Sequence, residues 1–401
     1  MFGSKSDAEI FFSVGEPSGD LHASNLIKNL REVRPGTRFR GFGGERMQAA
    51  GCQLDYELTQ LAVVGFVEVA PKLREFFRVA DVASDVFDKR PPSAVVLVDF
   101  PGFNWHIAKR AKQRGIPVFY YLPPQLWAWG SWRVKKLKRY VDHVFCNLPF
   151  EADWYAERNV SSEYVGHPFF DEVADQELDS RFVSSQRQRS GGLRVAVLPG
   201  SRSREVNHIW PMQLEIIREL ARRHPTAKFS VACLRANHKE YCQRLLCEAD
   251  RRLPIEFHVG KTSEIAEAAD CALMKSGSTS LEMMARGTPT VVVYHVGRLM
   301  YSIAKTLTDI KEFSLPNIIA GKTIMPEFLA VGSTTQAVEQ ATAAMDRLLS
   351  DRDERDAQRR QLQKVYQSVG GTGASRRTAL RINALLDGEA NQDDANLARA
   401  A

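Results

Sequence analysis

Four short stretches of this 401-residue chain carry residue types that do chemistry, and each follows an apolar run. Gly15-Glu-Pro-Ser-Gly-Asp-Leu-His22 follows Ile10–Val14, and Asp99-Phe-Pro-Gly-Phe-Asn104 follows Ala94–Val98. Pro199-Gly-Ser-Arg202 follows Arg194–Leu198, and Lys275-Ser-Gly-Ser-Thr-Ser-Leu-Glu282 follows Cys271–Met274. In the last stretch, Ser276-Gly277-Ser278 is a tight turn before a short helix, Leu281 to Arg286, with Gly287 as a left-handed stop. Free N–H groups and the helix dipole at such a turn suit a phosphate. Glu282 sits one turn in, where a carboxylate could hold a sugar diol. The same residues also read as a capping box, Thr279-x-x-Glu282, that only starts the helix. Arg202 could donate a two-pronged hydrogen bond to a phosphate, or be merely solvated.

A carboxylate at the carboxyl end of a parallel strand sits where ligands bind, so Asp99 is the candidate general base. Its competing role is to cap the helix that follows. Glu16, Asp20 and His22 bring polar groups to a glycine turn, with turn and cap chemistry as the alternative. That turn lacks G-x-G-x-x-G, so no dinucleotide site is expected. No metal site is expected either: Asp351-Arg-Asp353 lies in a charged region and reads as surface. The six cysteines form no C-x-x-C pair and read as reduced thiols.

Apolar runs alternate with helical stretches through both halves, which predicts an α/β fold with two doubly wound parallel sheets. The expected domains are 1–170 and 193–350, joined by a polar linker at 171–192, with helices and a tail at 351–401. Pro211 is expected to open a long helix, and Ser314-Leu-Pro-Asn-Ile-Ile-Ala-Gly321 reads as an apolar loop with one amide, Asn317. Phe66, Val67, Val69, Leu73, Phe76 and Phe77 recur at helical spacing, flanked by Lys72, Arg74 and Arg78. This stripe either faces the core or lies on a lipid surface. Trp127, Trp129 and Trp132, interleaved with a basic run to Arg139, suit an anionic interface or a solvated helix face. No apolar run approaches the ~20 residues of a membrane span, so membrane contact is expected to be peripheral. A net charge of +6 is a mild excess that fits anionic substrates, and no nucleic-acid partner is expected.

The chain resembles the lipid-A-disaccharide synthase family. The resemblance rests on Gly15-Glu-x-Ser-Gly-Asp-Leu-His22, Leu61-Ala-Val-Val-Gly-Phe-Val-Glu-Val69, Trp127-Ala-Trp129, Leu198-Pro-Gly-Ser-Arg202, Ser276-Gly-Ser-x-x-Leu-Glu282 and the Ser314–Gly321 stretch, in the family's order over about residues 10 to 330. It implies a glycosyltransferase of the GT-B type, with two Rossmann-like domains facing a central cleft. The C-terminal helices would cross back to the first domain or exchange between the partners of a homodimer. It further implies UDP-2,3-diacylglucosamine as donor, 2,3-diacylglucosamine 1-phosphate as acceptor, and no cofactor. The enzyme would be peripheral on the cytoplasmic face of the inner membrane of a Gram-negative-type cell. Donor contacts would come from Gly200, Ser201, Arg202, Ser276, Gly277, Ser278, Glu282 and Asn317, with Lys275 as an addition of this chain's own. The acceptor side would use Gly15, Glu16, Ser18, Gly19, Asp20, His22, Asn104 and Trp127. Two readings of other classes remain: a UDP-N-acetylglucosamine 2-epimerase-like isomerase and a non-catalytic nucleotide-sugar-binding protein.

The chain departs from the pattern at several positions. Relatives often carry Asp-Ala-Pro-Asp-Phe-Asn where this chain has Asp99-Phe-Pro-Gly-Phe-Asn104, which leaves Asp99 as the only carboxylate of the pair. Pro123 replaces a common Ser, and Ala330 stands where a Gln is frequent. Lys275 replaces a usually small residue and could add a phosphate contact.

Overall fold

The structure is a computed structural model that describes residues 8–62, 69–128, 130–188, 191–299, 301–302 and 312–388, and only the backbone at 62 and 69–73. It divides into two units, one holding the described residues up to Asp171 and from Thr372 on, the other Glu172 to Gly371. The stretch expected as a linker contains helices instead, Phe169–Asp175 and Ser180–Gln188. Val183 and Gln186 of the second are buried, and that anchors an otherwise polar segment.

The first unit is built on seven parallel strands: β1 (Glu9–Val14), β2 (Arg38–Phe42), β3 (Cys52–Tyr56), β4 (Ala94–Val98), β5 (Val118–Tyr121), β6 (His143–Cys146) and β7 (Ser162–Tyr164). Their order across the sheet is β3-β2-β1-β4-β5-β6-β7. Alternate residues feed opposite faces, as the pleat requires. Phe11, Val95, Leu97, Val118 and Tyr120 enter one core, and Ile10, Phe12, Val96, Val98, Phe119 and Tyr121 enter the other. Helices cover both faces, so the strands read as continuous apolar runs. The strands β3 and β7 lacked such a run and were not anticipated. The helix Ala374–Leu386 belongs to this unit: Ala379 and Ile382 join the second core, and Arg34 bonds Asn383 at 3.0 Å.

The second unit has six parallel strands: β8 (Arg194–Leu198), β9 (Lys228–Cys233), β10 (Ile255–Val259), β11 (Cys271–Lys275), β12 (Thr290–Val296) and β13 (Glu327–Val331). Their order, β10-β9-β8-β11-β12-β13, repeats the first unit's plan. The helix Ser203–Arg223 buries Val206, Ile209, Trp210, Ile216 and Ile217 against the sheet. Pro211 lies inside this helix and does not open it. A proline removes the N–H that would bond the carbonyl four residues back. Here that carbonyl, of Asn207, accepts instead from the Tyr241 hydroxyl at 3.2 Å. Strand order reverses direction between β1 and β4 and again between β8 and β11, and ligands bind doubly wound sheets at the carboxyl ends of such strand pairs. All four chemistry-bearing stretches of the sequence leave from those four strand ends.

Candidate active site

In the first unit the chain leaves β4 through two consecutive left-handed residues, Asp99 (φ 46°) and Phe100 (φ 45°). Each such residue costs on the order of 1–3 kcal/mol, so the surroundings must hold it. The Asp99 carbonyl accepts from Asn104 Nδ2 and from the Tyr120 hydroxyl, both at 2.7 Å. Asn104 is fully buried; its Nδ2 also reaches the carbonyls of Ser13 and Val98 at 3.3 Å, and its Oδ1 accepts from Ser13 Oγ at 2.7 Å. Asn104 therefore ties the ends of β1 and β4 together, and all of its polar atoms are engaged. Sequence reading placed it on the acceptor side; the structure makes it a support of the turn.

Phe100, not Asp99, is the N-cap of the helix Pro101–Lys112, and no side chain caps it. The Asp99 carboxylate is left for other work, accepting one backbone bond from Phe100. Burial and the neighbouring Glu16 carboxylate push its pKa from 3.8 up to about 6. Gly15 must be glycine here, since a Cβ would lie 2.2 Å from the Phe100 ring.

The rest of the Gly15–His22 turn serves the fold more than a ligand. Asp20 is buried and accepts from the N–H groups of Gly44, Arg46 and Met47 at 2.9, 3.0 and 3.1 Å. Its carboxylate is consumed by the start of the helix Glu45–Ala49, so it is not a free acceptor contact. Burial holds His22 neutral, its pKa lowered to about 4. Gly19 is packed against Val14, Glu16 is half-buried and Ser18 is exposed. Trp127 is half-buried and donates to Glu151 Oε1 at 2.9 Å. Of the expected lipid stripe, Phe66 and Val67 lie outside the described residues, and only the backbone is described at Val69 and Leu73. The remaining pair divides. Phe76 packs on the rings of Phe100 and Phe103, whereas Phe77 is 46% exposed with its ring against His106.

In the second unit Leu198 pairs with Met274 across β8 and β11, so the two strand-end turns leave from the same level. Gly200 turns with φ 127°. The Arg202 side chain is 80% exposed and 3.9 Å from Glu205. Ser201 is exposed beside it. Ser276 is buried and donates to the Phe313 carbonyl at 2.7 Å, which pins the start of the second turn. Gly277 has open space on its Cα, with Lys275 Nζ the one atom within 4 Å of a Cβ built there. Ser278 is the exposed N-cap of the helix Thr279–Arg286, without a side-chain cap bond, so the Thr279-x-x-Glu282 capping box does not form. Gly287 (φ 65°) ends that helix in the left-handed region as read. Glu282 is buried, and its Oε1 accepts from Arg286 Nε at 3.0 Å.

Asn317 was expected at the donor. It is fully buried, accepts from the N–H groups of Ile324 and Met325 at 2.8 Å and donates to the Met325 carbonyl at 2.8 Å. It clamps the 322–325 segment onto the helix Leu315–Ala320, a helix where a loop was expected. The Glu327 carboxylate accepts from Phe313 N and Ser314 N at 2.9 Å to start that helix.

Two carboxylates past strand ends, Glu151 after β6 and Glu205 after β8, escaped the sequence reading. Glu151 is fully buried, accepts from Leu148 N at 3.1 Å as well as from Trp127, and burial pushes its pKa up to about 7. Glu205 accepts from Ser201 N at 3.2 Å and meets Lys275 Nζ at 3.1 Å. Each is the third residue of a helix following a strand-end turn, a recognisable position for a capping carboxylate. Among the described residues no group of three or more His, Cys, Asp or Glu is placed to hold a metal, and no helix is long and apolar enough to cross a membrane.

Solved structures share this architecture at low identity. A UDP-N-acetylglucosamine 2-epimerase homologue from Listeria monocytogenes aligns with TM-score 0.62 at 12% identity, over 96% of this chain and 98% of its own. The S. aureus protein MnaA, solved with UDP, aligns with TM-score 0.63 at 15% identity, over 95% and 97%. Sequence comparison goes further. The chain is 36% identical over 374 residues to the lipid-A-disaccharide synthase of Anaeromyxobacter dehalogenans, covering 93% of this chain and 96% of that one. It is 34% identical over 382 residues to that of Syntrophus aciditrophicus, covering 94% and 97%. The family model for lipid-A-disaccharide synthetase matches residues 10–382, nearly the whole chain. With fold, strand-end turns and full-length similarity in agreement, the chain belongs to the lipid-A-disaccharide synthase family.

Proposed function

We propose that this protein transfers 2,3-diacylglucosamine from UDP-2,3-diacylglucosamine to 2,3-diacylglucosamine 1-phosphate with inversion, giving the β-1,6-linked disaccharide 1-phosphate and UDP. Membership in the family supports lipid A disaccharide synthesis by a glycosyltransferase. Asp99 takes the proton of the acceptor's 6-hydroxyl as that oxygen attacks the anomeric carbon. The bond from that carbon to the diphosphate breaks, and the electron pair leaves with UDP. Arg202, with the backbone N–H groups from Ser276 to Ser278, meets the charge that grows on the leaving diphosphate. Glu282 accepts from the ribose hydroxyls through the oxygen that Arg286 leaves free. We read the chemistry as needing no metal, because these groups supply the positive field themselves.

The observation that carries this reading is the Asp99 turn. A carboxylate that caps nothing, with a pKa raised to about 6 by burial and Glu16, is poised as a base near neutral pH. Acylated substrates reside in membranes, so the protein is read as peripheral on the inner membrane's cytoplasmic face, with Phe77 and the exposed Trp132 among its contacts. Mass spectrometry of products from purified protein with both acylated substrates tests the reaction. A disaccharide 1-phosphate plus UDP is the expected result. No turnover with UDP still bound would assign the site to a binding protein; UDP-N-acetylglucosamine epimerised at C2, followed by proton NMR because epimers share one mass, would assign it to an isomerase.

A further inference from the structure

One carboxylate in the second unit touches both strand-end turns, and the reaction as described gives it no role. Glu205 Oε2 accepts from the N–H groups of Ser201 and Arg202 at 3.2 and 3.4 Å. Its Oε1 meets Lys275 Nζ at 3.1 Å. Ser201 and Arg202 follow β8, whereas Lys275 ends β11, so a single side chain bridges the two adjacent strands just past their last paired residues, Leu198 and Met274. The surroundings are built for this. The Glu205 side chain folds over Gly200, where a Cβ would come within 2.9 Å of Glu205 Cβ and Oε2. Only 21% of the Glu205 side chain and 15% of Lys275 are exposed, against 80% of Arg202. Lys275 Nζ also stands 5.4 Å from the Tyr294 ring centroid, over the ring. Burial alone would raise the Glu205 pKa; Lys275 and the two backbone donors reverse this and hold it below the ordinary value, so Glu205 is charged at neutral pH.

We propose that Glu205 is the positioning residue of the donor's diphosphate site: it locks the Gly200–Arg202 turn to the Lys275–Ser278 turn and holds the Lys275 ammonium in place for the donor's diphosphate. This deepens the donor-site reading above and rests on it. The physical need is plain. Arg202 and Lys275 repel each other when no anion is present, and two backbone N–H groups at a helix start lack acceptors. A resident carboxylate satisfies all of them without blocking Arg202, which stays exposed for the ligand. A diphosphate then arrives at a cradle whose parts are already at their final spacing, which spares it the cost of ordering them.

The test is Glu205→Gln in the full-length protein, with UDP and uridine binding measured by calorimetry. Glutamine keeps the size but loses the charge that holds Lys275. UDP affinity is expected to fall about tenfold, equivalent to ~1.4 kcal/mol. Uridine affinity is expected to stay unchanged, and the donor KM to rise more than kcat falls. In a double-mutant cycle with Lys275→Met the two losses should not add, because one acts through the other. Unchanged or tighter UDP binding in Glu205→Gln overturns the proposal, the tighter case marking Glu205 as an anion that the diphosphate must displace. A parallel loss of uridine affinity also overturns it, as the mark of a general structural role. Should Glu205→Gln fold poorly, Glu205→Asp keeps a capping carboxylate but falls short of Lys275. It is expected to recover the melting temperature and still bind UDP weakly, and wild-type UDP affinity there overturns the proposal. Arg202→Ala separates the two levels: full UDP affinity in that variant removes the donor-site reading itself, whatever Glu205→Gln shows.

Discussion

Asn104 Nδ2 donates to the main-chain carbonyl of Asp99 at 2.7 Å, so the candidate base is held by its backbone while its carboxylate accepts from the Phe100 N–H and caps no helix. The left-handed conformation of Asp99 makes the isosteric test clean. Asparagine enters that region more readily than most residues, so Asp99→Asn keeps the turn. Turnover is expected to fall by roughly 10²–10⁴-fold, the worth of a positioned base. Folding and UDP affinity should stay nearly unchanged, because Asp99 caps nothing. Steady-state kinetics and calorimetry on the same preparation check this, and a variant that keeps most of its turnover removes Asp99 from the mechanism.

The pKa of Asp99 fixes the sign of two pH effects. A base must be ionised, so kcat/KM should rise with pH through about 6 and level off above it. Stability moves the other way. Between 3.8 and about 6 the folded state holds the proton more tightly than the unfolded chain, so this group's contribution is lost as pH rises through about 6. Glu16→Gln removes one of the two upward pushes and leaves burial, the larger. Its rate limb should shift to lower pH without reaching the value of a free aspartate. A pH–rate profile in which Glu16→Gln superimposes on the wild type would show that Glu16 does not act on the base.

Asn104→Ala should cost both stability and rate. It leaves the fully buried Ser13 hydroxyl without its acceptor and the half-buried Asp99 carbonyl with Tyr120 alone. An unsatisfied buried polar group costs about 1–3 kcal/mol. Urea denaturation measures that loss, and kcat should fall with it while UDP affinity holds. A loss of acceptor affinity with full stability would instead restore Asn104 as a substrate contact.

Asn317→Ala should behave as a fold variant. Three buried hydrogen bonds disappear, and stability is expected to drop by roughly 2–3 kcal/mol. UDP affinity per folded molecule should be unchanged. Calorimetry at a temperature where the variant stays folded separates this from a donor contact, which would lower affinity directly.

Phe76 and Phe77 are neighbours with opposite expectations. Phe76→Ser strips a ring from Phe100 and Phe103 and should destabilise by ~1–3 kcal/mol, less than a fully buried aromatic. Phe77→Ser should leave the melting temperature nearly unchanged and weaken binding to anionic vesicles, measured by co-sedimentation. Equal vesicle binding by wild type and Phe77→Ser would take Phe77 out of the membrane contact.

The sequence by itself determined the architecture and the level at which chemistry happens. Strands such as Ala94–Val98 and Arg194–Leu198, covered by helices on both faces, must be nearly continuous apolar runs, and the polar turn that ends each run marks the ligand edge of its sheet. Gly287 as a helix stop was legible for the same local reason, since the left-handed region favours glycine. Strands without an apolar run, such as β3 and β7, were not legible. Nor was the employment of each polar side chain. Asp20, Asn104 and Asn317 have the residue types of ligand contacts and sit in motif stretches, yet the structure spends them on backbone groups at Gly44, at Val98 and Asp99, and at Met325. Buried N–H and C=O groups must find partners, and those partners come from segments that only the folded chain brings near. Glu205 shows the same limit from the other side. Its sequence position announces a helix cap, and only the pairing of β8 with β11 brings it to Lys275, 70 residues away.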